Sequence, residues 1–512
     1  MHIAALLDQA VRSWPDRCAL VDADTDRRTS FAELADAVSL FSRRLLAGFD
    51  TRVGDRIALL GDSTADFLCA DYGIMCAGRV RVALDPALDT AELLSQLRDA
   101  GARVLLYCQA YAGRIEALRP GLDESGIEAR LLDALEGIPL PASSASPPHC
   151  EPDMIASLNY TGGTTGLPKA VVHTHRSYCA ALRNIMAARR PWVGDVMLNM
   201  RPLWPIAAIL QMAHLLQGGT LVLGSHFEPH RFLELVARHR PTCTSLVPTH
   251  LVRLLKLLPE LQADTRSLAC IEVGAAAMPP SLFEQAVAAF GPVFSVIYGL
   301  TEAPWTCYRP PSSNAEVLAD PDGTQGLVGP TTEGATIAVV DGERRLPPGG
   351  IGELLIRGDH VMQGYWQRPE LNAAVLEDGW FRTGDLGSID EQGRLRIRGR
   401  VKAVIRTGGK SVQPSEVEQT LAEHPAVQEA AVVGIPDAEW GELVAAAVVV
   451  RAGAALAEDE LAAFCRERLS AHKRPKLLVF MPLLPRSHYG KVLIRKVQDA
   501  IANKGAEARR VV

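Results

Sequence analysis

The sequence predicts an α/β protein: a large N-terminal domain of doubly covered, largely parallel sheets plus a small β-barrel-like unit, followed by a small α+β C-terminal domain. Three observations lead there: helical and strand patterns alternate from residue 30 to about 300, glycine-punctuated alternating runs occupy 325–398, and the composition shifts after Arg400. Met1–Arg17 reads as an amphipathic helix because Asp8 interrupts any apolar run of the kind a signal peptide carries. Ser30-Phe-Ala-Glu33 is a capping box that opens a helix to about Leu46, and Ile57–Leu60 is the strand after it. Helices over Asp62–Gly78 and Asp89–Gly101 alternate with strands at Val80–Leu84 and Val104–Cys108. Pro139–Pro152, rich in Pro, Ser and Ala, reads as a connector. The rhythm resumes with helices near Ala208–Leu216, Pro229–Arg238 and Pro280–Phe290, and with strands at Leu221–Leu223, Cys243–Val247 and Val293–Ile297. Between 325 and 398, Asp341-Gly342 and Gln392-Gly393 supply hairpin turns for an antiparallel unit.

Composition narrows the function. The 512 residues are 48% hydrophobic and 22% charged, enough apolar material for several packed cores. A net charge of -6 gives no global cationic face for nucleic acid. The longest apolar stretch, Leu443–Val450, is far short of the roughly 20 residues a bilayer crossing needs, so no membrane span and a cytoplasmic location are expected. Ten scattered cysteines without a CxxC pair read as reduced, mostly buried thiols. Lysine is confined before residue 400 to Lys169 and Lys256, while Lys402, Lys410, Lys473, Lys476, Lys491, Lys496 and Lys504 follow.

Tyr160-Thr-Gly-Gly-Thr-Thr-Gly-Leu-Pro-Lys169 carries the strongest chemical signal. Glycines interleaved with hydroxyls let backbone N–H groups wrap a phosphate, and the lysine neutralises it; a flexible Gly/Thr turn is the plain alternative. The Walker A spacing is absent. Four further motifs follow along the chain: Tyr298-Gly-Leu-Thr-Glu302; Arg382-Thr-Gly-Asp385; Gly399-Arg-Val-Lys402 with Gly408-Gly409 and Pro414-Ser-Glu-Val-Glu418; and Pro485-Arg-Ser-His-Tyr-Gly-Lys491.

In that order the five motifs resemble the adenylate-forming superfamily of acyl- and aryl-CoA synthetases, peptide-synthetase adenylation domains and luciferases. The resemblance implies a carboxylic acid–CoA ligase that uses ATP, Mg²⁺ and coenzyme A. The acid attacks the α-phosphorus of ATP, pyrophosphate leaves, and a thiol then attacks the acyl-adenylate. It also implies a boundary near residue 400: an N-terminal domain over 1–399 that includes a barrel-like β unit, a hinge at 400–402, and a mobile C-terminal domain over 403–512. Thr161, Gly162, Gly163, Thr164, Thr165 and Lys169 would cradle the β- and γ-phosphates. Tyr298 and Gly299 would lie at the adenine, Thr301 at the α-phosphate, and Glu302 on Mg²⁺. Asp385 would accept the ribose hydroxyls with Arg400 in support. Lys491 is the expected catalytic lysine, assisted by Thr165 and Glu302, and Lys402 falls at the hinge.

For the second step, Gly408 and Gly409 resemble the lining of a pantetheine tunnel. Trp440, Arg474 and Lys476 match positions that grip the nucleotide end of CoA, although His472–Lys476 also reads as a solvated basic surface. The chain departs from the family where it has Ala87 in place of an arginine, and Pro205 in place of a histidine. Gly299 leaves room for a medium-chain, branched or aromatic acid; Gly274, Ala275 and Ala276 form another wall. Trp204 either floors this pocket or packs as core. Arg201 reads as structural, with a second substrate carboxylate as the other role. Two rival functions stay open: loading the pantetheine arm of an acyl carrier protein, and a catalytically silent nucleotide-binding scaffold.

Overall fold

The computed structural model describes residues 2–140, 150–161, 168–189, 194–274, 278–319, 326–437, 439–486 and 492–504. Two sheets organise the first 310 residues, with one later strand added to an edge. The first runs in the order Gly364–Tyr365, Lys169–Thr174, Ile155–Thr161, Val80–Ala83, Arg56–Leu60, Ala102–Tyr107, Glu128–Leu131. The second runs Ala303–Arg309, Phe294–Leu300, Cys270–Val273, Cys243–Leu246, Val196–Asn199, Thr220–Leu223, Cys18–Asp22, Arg28–Ser30. Each is parallel in its interior and antiparallel toward an edge.

The apolar residues sort into layers. One core cluster joins Ile57, Leu59 and Leu106 of the first sheet to Met197, Leu221 and Cys243 of the second through a shared layer of helices that includes Phe31–Gly48, Ala65–Cys76 and His175–Arg189. Separate clusters cover the outer faces, against Thr90–Ala100 and Ala112–Glu124 on one side and Pro229–His239, Pro248–Leu261 and Pro280–Phe290 on the other. Both sheets are therefore covered on both faces, which is why their strands read as continuous apolar runs.

Local signals act as expected. Ser30 and Asp89 each complete a capping box, and Gly101 closes its helix at φ 62°. A third, antiparallel sheet gathers Leu327–Gly329, Leu395–Arg400, Trp380–Ile389, Gly352–Arg357, Thr336–Asp341 and Arg344–Arg345. Gly342 and Gly393, at φ 61° and 76°, make the turns predicted for it. The fourth sheet, Lys410–Val412, Ile405–Thr407, Gly441–Val450 and Val427–Asp437 with Leu477–Phe480 alongside, uses only residues after 400 and has cores of its own. The Pro/Ser/Ala connector lies largely outside the described residues. The ten cysteines are free and buried or half-buried; burial pushes the thiols of Cys69, Cys76 and Cys243 up to about 12.

One polar network ties these layers together. Arg81 is fully buried, donates from Nε to Asp71 Oδ1 (2.5 Å) and from Nη1 to Asn159 Oδ1 (2.8 Å), and also reaches the carbonyl of Pro205. The segment at Trp204 and Pro205, joined by a cis peptide bond, is thereby pinned to the first sheet.

Candidate active site

The glycine-rich loop springs from an antiparallel pair in which Thr161 lies opposite Lys169. Gly162, Gly163, Thr164 and Thr165 lie outside the described residues, as do Ala275, Ala276 and Lys491; the described residues fix the loop's two ends. At one end the Tyr160 hydroxyl lies 2.8 Å from Asp99 Oδ2, and Arg368 donates to the other Asp99 oxygen at 2.6 Å. Beside it the Thr161 hydroxyl is buried without a hydrogen-bond partner among the described residues. Such a hydroxyl has hydrogen-bonding capacity to offer at the start of the loop.

At the other end, Lys169 carries its ammonium 4.0 Å above the Tyr365 ring. The Tyr365 hydroxyl donates to Glu302 Oε1 at 2.8 Å, so ammonium, phenol and carboxylate form one group. Burial pulls the Lys169 ammonium below its usual value; Glu302 opposes this, and Lys402 and Arg400 reinforce it. Lys402 and Arg400 thus lie close enough to act on Lys169, a cationic neighbourhood suited to a polyphosphate.

Thr301 is held through its backbone. His173 is buried and kept neutral by desolvation, with a pKa of about 4, so its Nε2–H donates to the Thr301 carbonyl (2.7 Å) while Nδ1 accepts from Ser177 (3.0 Å). Met362 N–H donates to the Glu302 carbonyl at 2.8 Å, fixing the next residue as well.

The third group is built on Asp385. Tyr298 donates its hydroxyl to Asp385 Oδ2 at 2.7 Å, and Arg400 Nε lies 2.6 Å from Oδ1, following from the antiparallel register that sets Asp385 opposite Arg400. Thr383 Oγ1 accepts from the Asp385 N–H (3.0 Å), and Glu353 accepts from both the Gly384 N–H and Arg382 (3.2 and 3.1 Å). Motifs separated by up to a hundred residues in sequence therefore meet at Asp385.

In the C-terminal region, Gly408 and Gly409 (φ 54° and 74°) form the two-residue turn between Thr407 and Lys410, as a hairpin with both central residues at positive φ requires. Trp440 packs beside it: a Cβ on Gly408 would sit 2.9 Å from the indole, and Lys476 Nζ is 5.7 Å from the ring centre. Arg474 instead donates to the carbonyls of Leu469 and Arg466 (2.9 and 3.0 Å), which gives it a helix-end role. Lys402 lies exposed in the short turn Val401–Ala403.

Four residues expected near the acyl pocket have defined neighbours. A Cβ on Gly299 would lie 2.6 Å from the backbone nitrogen of Trp305, so the glycine is required by the tight approach of the two strands it joins, whatever space it leaves for substrate. Trp204 is buried in the main core with its ring 6.1 Å from Phe67, edge-on, which favours the packing role. Gly274 faces Ile297, whose side chain a Cβ would meet at 2.6 Å. Arg201 is half-buried and donates to Ser245 at 2.8 Å.

Sequence reasoning missed Tyr365, Asp99 and His173. A signal existed for Tyr365, a Gly-Tyr-Trp run before the helix-starting Pro369, but nothing local ties it to Glu302 across 63 positions.

Comparisons with known proteins place the chain in a family. Residues 7–366 match the AMP-binding enzyme family and residues 416–491 its C-terminal domain. The chain is 31% identical to the long-chain-fatty-acid–CoA ligase FadD13 of Mycobacterium tuberculosis, over 96% of this chain and 97% of that one. It is 34% identical to a feruloyl-CoA synthase from an Amycolatopsis species, over 96% and 99%. The structure of o-succinylbenzoate CoA synthetase from Bacillus subtilis, in complex with its acyl-adenylate intermediate, matches with TM-score 0.85 and 29% identity, over 96% of this chain and 98% of that one. The chain belongs to the AMP-binding enzyme family, as an adenylate-forming ligase of the acyl- and aryl-CoA synthetase kind.

Proposed function

We propose that this chain activates a medium-chain, branched or aromatic carboxylic acid in two steps at one site, first as an acyl-adenylate with release of pyrophosphate and then as a CoA thioester with release of AMP. The observation that carries this reading is the convergence of Lys169, Tyr365 and Glu302 on one side and Tyr298, Asp385 and Arg400 on the other. The first group suits a polyphosphate and the second a ribose diol, which together describe a nucleoside triphosphate. Phosphoryl chemistry asks the protein mainly for position and charge compensation, and these groups offer both.

In this reading Asp385 accepts from the ribose hydroxyls while Tyr298 and Arg400 hold its two oxygens. Thr161, Thr164, Thr165 and Lys169 hold the departing pyrophosphate, with Gly162 and Gly163 allowing the backbone to approach. Thr301 contacts the α-phosphate, and Lys491 bridges the carboxylate and the α-phosphate as charge shifts between them. Glu302 suits Mg²⁺ brought in with the nucleotide: among the described residues no group of three or more His, Cys, Asp or Glu side chains could hold a metal, and magnesium usually takes one or two carboxylates together with phosphates and waters. When bound, that ion neutralises phosphate charge.

For the thioester step, the Gly408-Gly409 turn, Trp440 and Lys476 form the CoA-facing group, and Lys402 belongs to a hinge at 400–402 between domains at 1–399 and 403–512. Arg474, whose guanidinium also donates to the carbonyls of Leu469 and Arg466, belongs to the same group through its remaining N–H donors. The test is a pyrophosphate-release screen over short, medium, branched, long-chain and aromatic acids, followed by thioester assays with CoA and with a pantetheinylated carrier protein. Pyrophosphate release with thioester formation on free CoA is expected; loading of the carrier alone would move the acceptor to the carrier protein. Silence toward every acid would reject the reading.

A further inference from the structure

We propose that Tyr365 is a positioning residue that locks Glu302 and Lys169 at one spacing, so that a metal–triphosphate meets its carboxylate and its ammonium as a single preformed unit. This rests on the phosphate and metal reading above and deepens it.

Tyr365 is built to be rigid. It is 4% exposed, its N–H donates to Asn372 Oδ1 at 2.6 Å, and its carbonyl accepts from Asn372 Nδ2 at 3.0 Å. Its two-residue strand pairs with Lys169–Thr174, Tyr365 opposite Val171, only two positions from Lys169. Three residues earlier, Met362 holds the Glu302 carbonyl. One short segment therefore grips Glu302 by backbone and side chain, and supports Lys169 by strand pairing and ring face. A phenol is an O–H donor at neutral pH, and the geometry points that donor at Glu302 Oε1. A tyrosine needed only for packing would be satisfied by any carbonyl; this one spends its donor on a buried carboxylate that faces the phosphate lysine. The two contacts are also separable, since the ring serves Lys169 and the hydroxyl serves Glu302.

The experiment compares wild type, Y365F and Y365L as full-length protein. ATP binding is titrated calorimetrically with and without Mg²⁺, and pyrophosphate release is followed as a function of Mg²⁺ concentration. Y365F keeps the ring and is expected to weaken Mg²⁺–ATP binding and raise the half-saturating Mg²⁺ concentration by about 10-fold, the order expected for one charge-assisted hydrogen bond. Its metal-free ATP affinity should stay within about 2-fold of wild type. Y365L should weaken metal-free ATP as well. A Y365F protein with wild-type Mg²⁺ dependence, or one weakened equally with and without metal, overturns the proposal. If wild type releases no pyrophosphate from any acid, the functional reading fails while the titrations still decide the role of Tyr365.

Discussion

Replacing Asp385 with asparagine should separate nucleotide binding from folding stability. In the structure Asp385 is buried, with Tyr298 donating to one oxygen at 2.7 Å and Arg400 lying 2.6 Å from the other. Asparagine keeps the shape but turns charge-assisted bonds to a ribose diol into neutral ones, which are roughly half as strong. With two such bonds, each worth about 1.5–3 kcal/mol when charged, the loss comes to about 1.5–3 kcal/mol, or roughly 10–150-fold in ATP affinity. Stability should change far less. The Arg400 side chain is 45% exposed, so water takes over its solvation, and at the buried Asp385 end asparagine keeps an oxygen that still accepts from one of the two donors. Calorimetric ATP titration alongside urea unfolding measures both quantities on one sample. The reasoning is refuted if ATP affinity falls by less than about 3-fold, or if it falls only as far as stability does.

Other expectations follow from the same geometry. Lys491→Ala should abolish acid-dependent pyrophosphate release yet still convert a supplied acyl-adenylate into thioester; parallel loss of both half-reactions counts against its assignment. Gly408→Ala and Gly409→Ala each force a side chain into positive φ at about 1–2 kcal/mol, but only the first drives a Cβ onto Trp440. Thioester formation should therefore suffer more in Gly408→Ala, with adenylation spared in both. Arg81→Met strands Asp71 in the core, so urea unfolding should report a loss of about 3–5 kcal/mol. Glu418, pushed up to about 7 by burial, holds its proton more tightly folded than unfolded. The C-terminal domain should therefore lose stability as pH rises from the ordinary glutamate range through about 7, and Glu418→Gln should flatten that slope in pH-dependent unfolding.

Much of this molecule was legible in the chain because its signals are local. Capping boxes at Ser30 and Asp89, paired glycines at 408 and 409, and apolar runs of strand length all act within a few residues. The candidate site was legible for a different reason: its residue types recur in a recognisable order along the chain. What stayed hidden depends on long-range pairing. Nothing around Cys18–Asp22 announces that it joins Thr220–Leu223, so the order of strands within the sheets stayed hidden. The contact of Tyr365 with Glu302, the hub at Asp99 and the collision that fixes Gly299 exist only once distant strands are adjacent. Trp204 could be placed either way from sequence, and its edge contact with Phe67 is visible only in the fold.

The strand pairings also set an order of assembly as the polypeptide leaves the ribosome. Cys18–Asp22 must wait for Thr220–Leu223 some two hundred residues later, and Lys169–Thr174 stays bare on one edge until Gly364–Tyr365 arrives. Such distant pairings are slow to form, and an uncovered edge strand recruits other chains. Fragments that stop short of residue 366 should therefore be prone to aggregation, leaving the segment after residue 400 as the part best suited to separate expression.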